Sequence, residues 1–135
     1  MHDRGEQMLA YIKLAGLSQS RRQLGPRDKF LVLAAAAAHR SGWPAVAERC
    51  RELVLSNNPA HLLRRWPTYD QAAADADFAP FLKQLMRFCP LERAEHLLAQ
   101  LEITAALPPL QSQLSAGDYA LLLLGRSEPP GAAAP

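Results

Sequence analysis

Apolar positions recur at helical spacing along most of the chain, and glycines and prolines divide them into segments. Leu9, Ile12 and Leu14 fit a short first helix that Gly16 ends, and the polar stretch SQSRRQLGP at 18–26 reads as a loop. A stronger helix opens at Pro26, which suits a first helical turn. Asp28 there complements the helix dipole, and the pattern continues through KFLVLAAAAAHR to Gly42. Pro44 opens the next helix, with Val46, Cys50, Leu53 and Val54 on one face and Glu48, Arg49, Arg51 and Glu52 on a polar face; Asn57, Asn58 and Pro59 end it. The link Ser41-Gly42-Trp43 is short enough to make these two helices antiparallel neighbours. The alanine run at 34–38 then has a physical purpose: methyl groups on a contact surface let helix axes approach to the low end of the usual spacing, because side-chain size sets that distance.

Beyond Pro59 the periodicity is interrupted more often. HLLRRW predicts one or two helical turns, and Pro67 with TYDQAAADAD gives a short helix or an irregular bridge. In FAPFLKQLMRF, Phe78, Leu82, Leu85 and Met86 fall at helical spacing, Phe81 and Phe88 extend the apolar face, and Pro80 fits the first turn, so a buried helix is expected. Pro90 starts another helix whose stripe is Leu91, Ala94, Leu97, Leu98 and Leu101. The pattern weakens after Ala105. GDYALLLLG offers one last short helix, and SEPPGAAAP has the composition of a disordered tail. The expectation is an all-α fold, a compact antiparallel helical bundle or helical-hairpin stack, with residues 1–125 as a single helical domain and 126–135 as a flexible C-terminal tail.

Leu31 and Ala35 in one helix, Gly42 at the turn, Ala47 in the next helix and Pro59 after it make residues 31–62 resemble a single tetratricopeptide-type helical hairpin. Ala38 and Arg51 stand where that family usually has an aromatic side chain, and no second copy occurs at the family's spacing. The resemblance therefore implies hairpin geometry and carries over no binding residues. PRDKFLVLAAAAA, SGWPAVAERC, NNPAHLL and FLKQLMRFCPLERAEHLLAQL together are more weakly similar to small bacterial helical proteins of no assigned activity.

Composition narrows the function classes. The 135 residues, 49% of them hydrophobic, suit one domain. Fifteen basic residues against 13 acidic ones leave a net charge of +2, too small a field to demand nucleic acid or an anionic membrane. The longest apolar runs fall short of the ~18 residues of a membrane span. Cys50 and Cys89 form no CxxC, and MHDRGEQ lacks the apolar core of an export signal, so a cytoplasmic location is expected.

The residues that could carry chemistry are few. Cys89 precedes Pro90 at an expected helix start, where backbone N–H groups, Arg87 and Arg93 could stabilise a thiolate; the favoured expectation is a buried small hydrophobe beside Phe88. Glu92 and His96 lie four apart, but two ligands do not make a metal site, and His2, His39 and His61 are isolated. Phosphate-loop and G-x-S-x-G sequences do not occur. Neither a catalytic residue nor a metal or cofactor is assigned. Arg64, Arg65, Trp66 and Tyr69 combine charge with flat rings, as interaction hot spots and single-stranded nucleic-acid platforms do, although the favoured reading has Trp66 capping the core and the arginines pointing to water. The primary expectation is a non-catalytic interaction or adaptor module that binds a protein partner or itself. The alternatives are weak single-stranded nucleic-acid binding through those four residues and thiol chemistry at Cys89.

Overall fold

A computed structural model describes residues 4–90, 93, 94, 96, 97, 99 and 116–125. The fold is all-α, and no strand occurs among the described residues. The elements are α1 (Arg4–Ser20), α2 (Leu24–Arg40), α3 (Pro44–Asn57), a 3₁₀ turn (Leu62–Arg65), α4 (Tyr69–Ala74), α5 (Ala79–Phe88) and α6 (Ala116–Gly125). Helix α2 packs between α1 and α3, and α6 packs against both α1 and α3, which closes a four-helix ring. Helices α4 and α5 also rest on α2. The expected tail at 126–135, and Leu91, Leu98 and Leu101 of the expected stripe, lie outside the described residues. Of that stripe, Ala94 is buried and Leu97 half-buried.

The alanine run is the centre of the molecule. Each residue at 34–38 is at most 3% exposed, and eleven residues of α2 are buried. Helices α1, α3, α4 and α5 all contact α2, and its five alanines are buried among them.

Two turns with the same hydrogen bonds join the ring's first three helices. At the end of α2, the Trp43 N–H donates to the Ala38 carbonyl (2.9 Å) and the Gly42 N–H to His39 (3.3 Å), with Gly42 at φ 83°. At the end of α1, the Gln23 N–H donates to Ser18 (2.8 Å) and the Arg22 N–H to Gln19 (2.9 Å), with Arg22 at φ 60°. Both are Schellman turns, which need one left-handed residue. Only the first has the glycine that announces it. The expected stop at Gly16 is therefore corrected: α1 continues through buried Leu17 and Ser18, and the expected long loop shrinks to three residues before α2 starts at Leu24.

The first turn of α2 also departs from expectation. Because α2 begins at Leu24 and not at Pro26, Asp28 falls beyond its first turn, and Arg27 and Asp28 are only 5% and 7% exposed. Arg27 Nη1 lies 3.1 Å from Asp28 Oδ1 and 3.4 Å from the Leu53 carbonyl, Arg27 Nε donates to Gln19 Oε1 (2.8 Å), and Asn57 Nδ2 donates to Asp28 Oδ2 (2.9 Å). This network ties α1, α2 and α3 together at one end of the ring.

Candidate functional site

The 3₁₀ turn decides the fate of the expected binding residues. His61 starts it by accepting a hydrogen bond from the Leu63 N–H on Nδ1 (3.1 Å). Arg64 and Arg65 point outward, whereas Trp66 is 7% and Tyr69 1% exposed. Both rings meet Phe78 edge-on, at centroid distances of 5.6 and 5.8 Å. Trp66 Nε1 donates to Asp75 Oδ2 (2.9 Å), and the Arg65 guanidinium covers the indole at 5.0 Å while pairing with Asp77 (3.1 Å). The structure thus brings Arg65 and Trp66 together as an intramolecular stack. It turns the two rings of the expected platform into the core, so neither offers an open face to a nucleobase.

Side chains from the expected polar face of α3 hold this arrangement. Glu48 Oε1 accepts from the Tyr69 N–H (2.8 Å), Arg51 Nη2 donates to the Trp66 carbonyl (2.8 Å), and Arg51 pairs with Glu48 (2.7 Å). The helical pattern puts Glu48 and Arg51 on the polar face of α3. Nothing local indicates that a distant backbone segment will dock on them.

Cys89 is 1% exposed and follows the last residue of α5, its N–H donating to the Leu85 carbonyl (3.0 Å). Its own carbonyl accepts from the Tyr11 hydroxyl (2.8 Å). Burial pushes its thiol up from the ordinary value, with the Arg93 charge opposing. A covered, protonated thiol at the negative end of the α5 dipole is a poor nucleophile. Cys50 is fully buried, and burial raises its thiol to about 12. His39 pairs with Asp70 at 3.0 Å on the surface. His96 is exposed, and Glu92 lies outside the described residues. No group of three or more metal-ligating side chains occurs among the described residues. None of the described helices is long and apolar enough to cross a membrane.

Helix α5 departs most from its sequence pattern. The expected buried helix buries only Leu85 within its span, between Phe78 and Cys89 at its ends. Phe81 and Leu82 are half-buried, while Met86 and Phe88 are 43% and 41% exposed. The apolar pattern runs wider than the strip that α2 covers. Phe88 leans on Phe30 with a ring separation of 6.0 Å, and Lys29 Nζ sits 4.6 Å from its centroid. Asp77, Pro80, Phe81, Lys83, Gln84 and Arg87 form a continuous shallow surface. Beside Met86, a cleft of about 160 Å³ is lined by Tyr11, Leu33, Ala36, Arg40 and Pro90 among others.

This outward face can exclude water from apolar and aromatic surface while charged groups orient whatever covers it, and such surfaces make contact patches. No protein-family model, curated protein or solved structure matches this chain, so the geometry of α5 and its surroundings is what bears on function.

Proposed function

We propose that this protein is a non-catalytic protein-interaction module that engages its partner through the outward face of α5. The observation that carries the reading is the pair Met86 and Phe88. Both are large apolar side chains left exposed on a helix that already buries Leu85; two positions apart, they stand on opposite flanks of α5, with Lys83 and Arg87 on the surface between them. Exposed aromatic and methionine side chains bordered by long cations match the composition enriched at protein contacts. Burial of the Cys89 thiol weighs against the thiol reading, and burial of Trp66 and Tyr69 weighs against nucleic-acid binding at that surface.

The test is affinity isolation from native extract with wild type, Phe88→Glu and Arg64→Glu, with folding checked by circular dichroism. Proteins retained by wild type and Arg64→Glu but lost with Phe88→Glu support the reading. Equal retention by all three overturns it.

A further inference from the structure

We propose that the start of the 3₁₀ turn is a proton-sensitive latch: a proton on His61 Nδ1 breaks the hydrogen bond that opens the turn and frees the ring from its seat beside Phe81, while the rest of the fold stays closed. This latch is independent of the contact reading of α5.

The hydrogen bond fixes the protonation state it needs. The Leu63 N–H lies 3.1 Å from His61 Nδ1, and a backbone N–H can only donate. Nδ1 must therefore carry a lone pair, so the closed turn holds the neutral ring with its proton on Nε2. An imidazolium has N–H groups at both nitrogens and no acceptor anywhere on the ring. Turning the ring over brings a C–H to the same place, so no rotamer restores the bond. The next cap along the chain has no such dependence. There the Thr68 hydroxyl accepts from the Gln71 N–H (3.2 Å) at the start of α4, and a hydroxyl does not titrate in this range.

The groups around the ring set the balance between its two forms. On the α5 side it meets Phe81 edge-on at 5.5 Å, a side chain without charge. On the α2 side the Asp28 carboxylate favours the cation, but its oxygens already hold Arg27 Nη1 and Asn57 Nδ2 of α3. Within the turn, Arg64 is exposed and Arg65 pairs with Asp77. Of the charges on the neighbouring α3 and α4, Arg51 pairs with Glu48, Arg49 with Glu52 and Asp70 with His39. Desolvation outweighs Asp28 and favours the neutral ring, and the bond from Leu63 adds to that preference because only the neutral form can make it.

The residues beyond the ring are held by groups that do not use His61. Leu63 is fully buried, Trp66 is bonded to Asp75 and Arg51, and the Tyr69 N–H to Glu48. Opening is therefore confined to the approach at 59–62 and to the edge of Phe81. Phe81 belongs to the shallow surface on α5, so acid uncovers more aromatic area there without unfolding the ring of helices.

Nuclear magnetic resonance on the full chain reads each part of the latch. Imidazole nitrogen shifts report the tautomer, and at about pH 7.5 His61 Nδ1 should be unprotonated. As pH falls to about 5, the Leu63 amide signal should move with the same midpoint as the ring. Its protection against hydrogen exchange, corrected for the intrinsic rate, should fall by up to ~10-fold per pH unit below 6.5 until the closed ring itself titrates. Amides in the middle of α2 should keep their protection. In His61→Asn the side-chain oxygen caps the same N–H without titrating, so Leu63 should stay protected at about pH 5. His61→Ala should already show, at about pH 7.5, the unprotected Leu63 amide that wild type reaches in acid. The proposal is overturned by a proton on Nδ1 at neutral pH, by a Leu63 amide indifferent to titration of the ring, or by His61→Asn responding to acid as wild type does. Loss of the α2 amides together with Leu63 overturns it too, because the acid response is then global unfolding.

Discussion

Helices α2 and α5 are both rich in apolar residues, yet they use them in opposite ways. Helix α2 has neighbours on several sides, and its middle is reduced to methyl groups no more than 3% exposed. Helix α5 has its one buried side chain, Leu85, set toward the core and carries the larger Phe88 and Met86 at its surface. Side-chain size follows the number of helices to be accommodated and says little by itself about burial. Small residues fill the middle of α2, and some of the larger ones on α5 stay at the surface. A central helix gains stability from close approach on every side, whereas a peripheral one contributes a single strip and keeps the remainder for contact.

The largest effect should come from the polar network at the start of α2. Asp28→Ala would leave the Arg27 guanidinium buried without its carboxylate and Asn57 without its acceptor, a loss of about 3–5 kcal/mol in denaturant unfolding. A change below about 1 kcal/mol would mean that this end of the ring is hydrated and does not clamp α1, α2 and α3 together.

Next, leucine at Ala34, Ala35 or Ala38, each fully buried, should destabilise by about 1–3 kcal/mol. Ala36→Leu is the internal control. Ala36 borders the cleft of about 160 Å³ beside Met86, so its added methylenes have space and should cost less than about 1 kcal/mol. Equal costs at Ala36 and Ala35 would break the distinction between the sides of α2.

On α5, Phe88→Ala should lower stability by only about 1 kcal/mol, because the ring is partly exposed and its contacts are Phe30 and Lys29. A loss like that of a core phenylalanine, about 3 kcal/mol or more, would make α5 a second core helix and end its contrast with α2.

The turns flanking α2 give a smaller test, with opposite signs. Arg22→Gly should stabilise by about 0.5–1 kcal/mol, since glycine relieves the left-handed backbone at φ 60°. Gly42→Ala at φ 83° should destabilise by about 1 kcal/mol, and because no atom lies within 4 Å of the new Cβ, the cost is conformational and not a clash.

The smallest effect concerns the seat of α5. The His61 ring meets Phe81 edge-on at 5.5 Å, and desolvation lowers its pKa below 6.5, with the Asp28 charge opposing. The unfolded chain therefore binds more protons than the folded one between the lowered pKa and 6.5. The associated stability is present above pH 6.5 and declines as pH falls through the folded value. Unfolding of wild type and His61→Asn compared between about pH 7 and 5 should show a shallower decline in the variant.

What the sequence by itself determined is the part governed by local rules. Gly42 and Pro44 mark a turn because one supplies a left-handed residue and the other a first helical turn, and the alanine run between Phe30 and that turn favours a helix face over low-complexity filler. The α2–α3 hairpin follows from these residues alone. Arg22 shows where local rules stop: a Schellman turn formed on arginine has no composition to announce it, and Gly16, on the exposed side of α1, suggests an end where helix continues. The tertiary structure decided the candidate site. Whether Trp66 lies outside or inside depends on Asp75, Phe78 and the Arg51 guanidinium, and the last of these comes from fifteen residues away. Cys89 ends α5 through its bond to Leu85 and also precedes the helical residues that follow Pro90, so what the tertiary structure adds is its burial and the Tyr11 hydroxyl arriving on its carbonyl from 78 residues earlier. Which apolar side chains of α5 stay exposed depends on how wide a strip α2 can cover. Periodicity records that a side chain is apolar, but only packing between distant segments determines whether a partner is already there to bury it.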